Sequence, residues 1–473
     1  MDGVTEPSGA RRFADFALGL RLDDIPADVI EVAKLHLLDT LGCGLAAIAL
    51  RTADEGRTLA LADSGTAEAS LLCSATRVPA ASAAFANAMA CHGLDFDYTH
   101  ADSVCHVSTV VAPAALAAGE ASAAGGADVL AALIAANEIV TRIGMAASGA
   151  FHARGFHPTS VCGVFGATAA AARLRGLDTA TATSALGLAG SMASGLFAYL
   201  EDGTATKPVH AGVAAQAGVR AAALAALGAE GPPSVFEARF GLYRAFADVD
   251  PAVLAEQLAD LGDRWETPRI AFKAYPACHY IHGSLGSSAA LVAECSLDPD
   301  DIVEVEVSVP PGPAVSLVLE PAASKIVPRT DYEGKFSLQY STAAMLVHGT
   351  VGVETYSAAA LSDPVVLDVA RRVRYRVDEF ATTAQAFPGG VRIELRDGRV
   401  LSRQLEFQQG APENPLSPAE VEAKFRANAR PALGDDGADE LLAAVRSLEE
   451  HVDLSAALAP LRAAAPPSPD DQR

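Results

Sequence analysis

The sequence predicts a mainly α-helical protein with an inserted α+β domain, in which both ends of the chain build one large all-helical domain. Three observations carry that prediction. Ala- and Leu-rich segments with helical spacing fill positions 1–268, two-residue alternation appears within 269–405, and helical composition returns over 406–462. The last stretch, 463–473, with its Pro, Ser and Asp, reads as a disordered tail.

Each part has a local reason. After Pro26, a residue suited to the first helical position, Val29, Ala33, Leu37 and Leu41 recur on one helix face. Segments 81–91, 111–124, 129–147, 160–174 and 212–226 repeat the theme, with small residues that let helices approach closely. The uncharged run 179–200 is long enough for a bilayer, which takes about 20 residues. Ser, Thr, Gly and Ala dominate it and Glu201-Asp202 end it, so it reads as a buried helix and not as a membrane span. In the insert, Val303, Val305, Val307 and Val309 alternate with Glu304, Glu306 and Ser308, the period of a half-buried strand. Val373, Tyr375 and Val377 repeat it. Val391, Ile393 and Leu395 run into Asp397-Gly398, a hairpin turn pair, and the pattern resumes at Val400.

Composition limits what the protein can do. Half of its 473 residues are apolar, and mean hydropathy is +0.23, enough for a large buried core. Against 58 acidic residues stand 35 Lys and Arg, a formal charge of −23, which argues against nucleic acid and anionic membranes as partners. An anionic small molecule is still compatible if the few lysines (34, 207, 273, 325, 335 and 424) converge locally. Seven scattered cysteines without a C-x-x-C pair fit a reduced, cytoplasmic setting. Asp2, Glu6 and Asp15 interrupt the first twenty residues, which argues against secretion.

Residues able to do chemistry gather in four stretches. The first is Cys91-His-Gly-Leu-Asp-Phe-Asp-Tyr-Thr-His100 with Cys105-His106. Here Asp95, Asp97, His100 and His106 offer metal ligands, or Asp95 orients a basic group while His106 handles protons, or the acids merely cap a helix end. The second, Gly155-Phe-His-Pro-Thr, places His157 before Pro158 at the start of an Ala-rich helix, where backbone dipole suits an anion. The third sets Lys207 and His210 around Pro208 before another such helix. The fourth, Phe272-Lys-Ala-Tyr-Pro-Ala-Cys-His-Tyr-Ile-His282, sets a second scarce lysine within nine residues of two histidines. Cys278 reads as a packed thiol more readily than as a nucleophile.

Together these stretches resemble the MmgE/PrpD family. The resemblance rests on His92-x-Leu-Asp-Phe-Asp-x-Thr with His106, Gly155-Phe-His-Pro-Thr with Gly163-Val-Phe-Gly, Glu-Asp-Gly before Lys207-Pro-x-His210, and Lys273-x-Tyr-Pro-x-Cys278-x-x-x-His282. Lys335-Phe-Ser-x-x-Tyr340 matches a further block. It implies a helical domain with a smaller α+β lid, a homodimer, and catalysis in the cleft without metal or other cofactor on a small di- or tricarboxylic acid. By the same resemblance Asp95, His106, His157 and Lys207 are the catalytic candidates. Thr99, Lys273, His282, His210 and Tyr340 are the substrate-binding ones.

Physics makes this assignment coherent. Lysines would offset the substrate's carboxylates, and histidines would move the proton of a carbanion-forming step. The expected enzyme is a lyase, dehydration ahead of decarboxylation. A racemase or epimerase of an amino-dicarboxylate such as iminodisuccinate, and an inactive carboxylate-binding relative, are the alternatives. Tyr98 stands where many relatives carry a second acid, and the Trp-containing block of 2-methylcitrate dehydratases is absent, which leaves the acid itself open.

Overall fold

Small side chains let the long helices of the first half cross at close range, and those crossings build the larger domain. In the computed structural model, which describes residues 7–462, its longer helices are α1 (Ala27–Ala49), α2 (Ala80–His92), α3 (Ser108–Ala121), α4 (Gly126–Met145), α5 (Pro158–Leu174) and α6 (Lys207–Ala226). α5 packs on α3, α4 and α6, while α6 also packs on α2. Glycines mark the tightest crossings. A Cβ on Gly218 of α6 would lie 2.4 Å from Ala167 Cβ and 2.7 Å from the Thr168 nitrogen on α5, and one on Gly166 would lie 2.4 Å from Val140 on α4.

The insert forms its own core, from Tyr275 to Leu395, separate from the larger core that runs from Ala10 to Leu461. Three helices, α7 (His279–Glu294), α8 (Leu338–His348) and α9 (Pro364–Arg372), accompany a four-stranded sheet. Its strands are β1 (Ile302–Val309), β2 (Val373–Val377), β3 (Gly389–Leu395) and β4 (Val400–Leu405), in the order β2-β1-β3-β4. β1 runs parallel to β2 and antiparallel to β3, and the β3–β4 hairpin turns at Asp397-Gly398 with Gly398 at φ 87°. The chain then returns to the helical domain as α10 (Pro418–Arg446), which is bent at Gly434 and packs along α1. Ser417 caps α10 reciprocally with Glu420, a capping box.

The structure corrects three sequence readings. The change of domain falls a few residues after 269: Ile270–Ala271 pair with Thr99–His100, and Phe272 packs in the larger core, so Lys273 lies at the crossing. Val303 does not share the inner face of β1. A register shift between Ile302 and Glu304 buries Ile302 and leaves Val303 49% exposed. The run 179–200 is not one helix: it is helical over Thr179–Gly190, opens into a turn through Gly195, and re-enters a short helix at Tyr199–Asp202. The tail read as disordered, 463–473, lies outside the described residues. Among those residues only α1 is long and apolar enough to cross a membrane by length and composition; 89% of its apolar window is buried, and it carries the buried polar residues Lys34, His36 and Asp39.

Because Gly218 faces the backbone of α5, Gly218→Ala is expected to destabilise the fold by about 1–3 kcal/mol in denaturant unfolding, even though alanine is the better helix former. An unchanged or raised midpoint would mean that the crossing is looser than described.

Candidate active site

Three helix ends and the domain crossing meet at one place. α2 stops at His92, and the following loop holds Asp95 in the left-handed region (φ 53°), a conformation that Asp adopts more readily than most residues. The bridge between Thr99–His100 and Ile270–Ala271 then clamps this loop beside Lys273. Pro158 fixes the start of α5 with His157 as its N-cap, and Lys207 is the first residue of α6. The His106 backbone N–H donates to Thr159 Oγ1 (2.9 Å), which ties the His106 segment to α5.

Two ammonium groups share one carboxylate at the centre. Lys207 Nζ and Lys273 Nζ donate to the same Asp95 Oδ1 at 2.8 and 2.9 Å, and Lys273 also donates to the Asp95 carbonyl at 2.7 Å. Lys207 stands 3.3 Å from His106 Nε2, and His106 Nδ1 lies 2.9 Å from Asp97 Oδ2. The second hydrogen bond fixes the tautomer: Nδ1–H donates to Asp97, and the Nε2 lone pair accepts from Lys207. Asp97 also binds His92 Nδ1 (2.9 Å), and the His92 ring stacks on His157 at 5.7 Å between centroids. Behind them Lys424 donates to the carbonyls of Phe96 and Lys273 and pairs with Asp39 at 2.7 Å.

The front of this network forms one wall of a cavity of about 90 Å³ between the domains. Asp95, Thr99, His106, His157, Lys207 and Lys273 line it from the helical side. Cys278, His279, Tyr280, Leu317, Phe336 and Phe387 close it from the lid. At about 10–15 Å³ per water, the space suits a handful of waters or one small acid.

Burial alone would raise both carboxyls, but their neighbours outweigh it. The Lys207 and Lys273 ammonium groups hold Asp95 well below the usual carboxylate range, and the hydrogen bonds from the His92 and His106 rings do the same for Asp97. In Lys207 the partner also wins over burial, so the ammonium is held. The histidines go the other way. Burial, then Lys207, pushes His106 down to about 3 and His157 well below 6.5; burial, then His92, pushes His210 to about 4. The sequence-based picture of imidazoles poised near neutrality is therefore corrected: in the free protein these rings are neutral.

Of the residues singled out from sequence, Asp95, Thr99, His106, His157, Lys207 and Lys273 stand together on the cavity. His210 lies behind them, its Nδ1 3.2 Å from that of His157. His282 sits deeper in the lid with Nε2 3.2 Å from the Ala277 carbonyl, and it does not line the cavity. Tyr340 is apart altogether: it packs in the lid core and donates its hydroxyl to the Thr355 carbonyl (2.9 Å). His100 turns to Ser103 and Glu266. The orienting acid for His106 is Asp97, and Asp95 serves the lysines. Sequence reasoning missed His92 and Asp97 as a unit, His279, and the aromatic wall of Phe197, Tyr199 and Phe387. His92, Asp97 and His106 present ligand atoms within 4.8 Å of one another and could hold a metal ion, although spacings of 2.9 Å are equally those of the two N–H···O bonds that satisfy Asp97.

The depressed imidazoles set the acid stability. His36, His106 and His282 are pushed to about 3, and His100 and His210 to about 4, burial being the first cause in each. Between about pH 6.5 and those values the unfolded chain binds protons that the folded chain refuses, so stability falls as the pH drops through that window. Asp95 and Asp97 keep their stabilising charge throughout it. A Tm lower by several degrees at pH 5 than at pH 7.5 is expected in calorimetry; an unchanged Tm would contradict neutral buried rings.

Over 471 aligned residues the chain is 31% identical to cis-aconitate decarboxylase of Homo sapiens, covering 96% of this chain and 95% of that protein. It is 28% identical to the cis-aconitate decarboxylase of Mus musculus, covering 94% and 91%, and 27% identical to that of Aspergillus terreus, covering 93% of each. The MmgE/PrpD N-terminal domain matches residues 11–254, the helical side of the cavity, and the MmgE/PrpD C-terminal domain matches 275–450, which begins where the lid core begins. The chain belongs to the MmgE/PrpD family.

Proposed function

We propose that this protein is a lyase that removes carbon dioxide from a small citrate-like polycarboxylic acid, with cis-aconitate the first candidate. The observation that carries the reading is the Lys207–Asp95–Lys273 triad of charges beside the Asp97-held His106 in an interdomain cavity. Sequence alone put dehydration first. Full-length similarity to proteins named for decarboxylation favours loss of carbon dioxide instead.

The chemistry follows from charge. Lys207 and Lys273 draw substrate carboxylates to one wall, where the low dielectric strengthens each hydrogen bond. Breaking the bond between a departing carboxylate and its carbon leaves an electron pair on that carbon. An adjacent unsaturated carboxylate can spread this charge, and an ammonium beside it stabilises the developing enolate. The carbon must then receive a proton. In the free site Asp95 and Asp97 offset Lys207 and Lys273, so a bound polyanion adds uncompensated negative charge and raises the affinity of His106 and His157 for a proton. A ring that is neutral in the free protein thus becomes an acid once substrate is present.

Lys207→Ala and His157→Ala are each expected to lower kcat/KM for carbon dioxide release from cis-aconitate at least about 100-fold. Water elimination from citrate and 2-methylcitrate, and solvent deuterium entry into amino-dicarboxylates, are followed in parallel. Wild-type turnover in both variants would end the site assignment. Dominant water loss or deuterium exchange would select dehydration or epimerisation, and ligand stabilisation without turnover would mark an inactive binder. Chelation should leave activity intact; loss restored by a divalent ion would make His92, Asp97 and His106 a metal site.

A further inference from the structure

The lid wall of the cavity contains a polar group without a partner. His279 is the first residue of α7, a helix of 16 residues, and only 5% of its surface is exposed. Neither ring nitrogen has a hydrogen-bond partner among the described residues. Phe387 stacks on the ring at 4.6 Å and 24°, and His282 packs against it edge-on at 4.6 Å and 73°. These contacts fix the ring while satisfying neither nitrogen. His282, by contrast, has its Nε2 beside the Ala277 carbonyl at 3.2 Å.

Buried polar atoms in folded proteins are nearly always paired, so an imidazole on the wall of a cavity, with both nitrogens covered and unpaired, gains a partner when a guest with an acceptor oxygen reaches it. Burial, then His282 and Lys273, keeps the ring neutral, with one N–H to donate. Its position at the N-terminus of α7 adds dipole that favours an anion. The opposite wall carries two ammonium groups, Lys207 and Lys273, both already engaged with Asp95. Each ammonium has three N–H groups and makes two of the site's hydrogen bonds, so each keeps one N–H for a substrate carboxylate. A third carboxylate needs a further donor, and on the other wall, where Leu317, Phe336 and Phe387 are apolar, the polar side chains are His279, Tyr280 and Cys278.

Resting on the reading of the chain as a polycarboxylate lyase, we propose that His279 is a substrate-binding residue whose imidazole N–H donates to the carboxylate that Lys207 and Lys273 leave unpaired. The lid thereby selects tricarboxylates over dicarboxylates.

Calorimetric titration with cis-aconitate and with maleate, which has two cis carboxylates, tests this on the whole protein. His279→Phe should keep or raise the unliganded Tm, since two unpaired buried polar atoms disappear. It should weaken cis-aconitate about tenfold or more while changing maleate less than about threefold. His279→Ala should move the ratio of the two affinities in the same direction, and it decides alone if the Phe variant does not fold. An unchanged cis-aconitate affinity, or equal loss for both acids, overturns the proposal. Lys207→Ala in the same titration separates two failures. A wild-type protein that binds neither acid overturns the lyase reading together with this one. Strong wild-type binding that Lys207→Ala abolishes and His279→Phe leaves unchanged overturns the role of His279 alone.

Discussion

Two buried ammonium groups share one carboxylate, and the rest of the site is arranged around that shared bond. Lys207 and Lys273 come from opposite ends of the architecture, one at the head of α6 and one at the crossing into the lid, yet both donate to Asp95 Oδ1. Taking three charges out of water is costly, and the arrangement persists because each charge has a partner within 3 Å. Removing the carboxylate alone would strand two buried cations, a cost of about 3–5 kcal/mol by analogy with other buried pairs. The left-handed turn at Asp95, the bridge at Thr99–His100 and the Lys424 contacts to the carbonyls of Phe96 and Lys273 all hold this carboxylate where both lysines reach it.

That constraint also sets the state of the histidines. Rings away from water, and secondarily beside Lys207, lose their protons, so His106 and His157 are neutral in the free protein, and Asp97 keeps His106 in one tautomer. The same rings respond when the local charge changes sign. A guest bearing two or three negative charges replaces water next to them and tips the balance toward the protonated ring. The lid adds an apolar ceiling of Phe336, Phe387 and Leu317, which excludes water and strengthens every charge beneath it.

Much of this was legible in the sequence, for physical reasons. Lysine is scarce in the chain, so Lys207 and Lys273 stood out, and Pro158 marked the helix that follows His157; Pro208 suggested an extended lysine ahead of a helix, whereas Lys207 is itself the first helical residue. The two-domain division could be read from the change of hydrophobic period. What could not be read was direction. Asp95 and Asp97 are two residues apart in a loop, and only the left-handed turn at Asp95 decides that one meets lysines and the other histidines. His279 and His282 lie on adjoining positions of one helix, and spacing does not tell which reaches the cavity. Tyr340 sits in a block that resembles the family's, yet its hydroxyl is consumed by the Thr355 carbonyl within the lid core. Val303 kept the strand period but not the strand face, because a bulge is invisible in an alternation of residue types.

The site works through imidazoles that are neutral until a polyanion arrives. Nitrogen NMR of histidine-labelled protein at pH 7, recorded with and without cis-aconitate, examines this directly, with single His→Gln variants for assignment. Neutral His106 and His157 in the free protein, and an imidazolium signal from at least one of them in the complex, is the result predicted. Charged rings in the free protein, or rings that stay neutral with the acid bound, would contradict it.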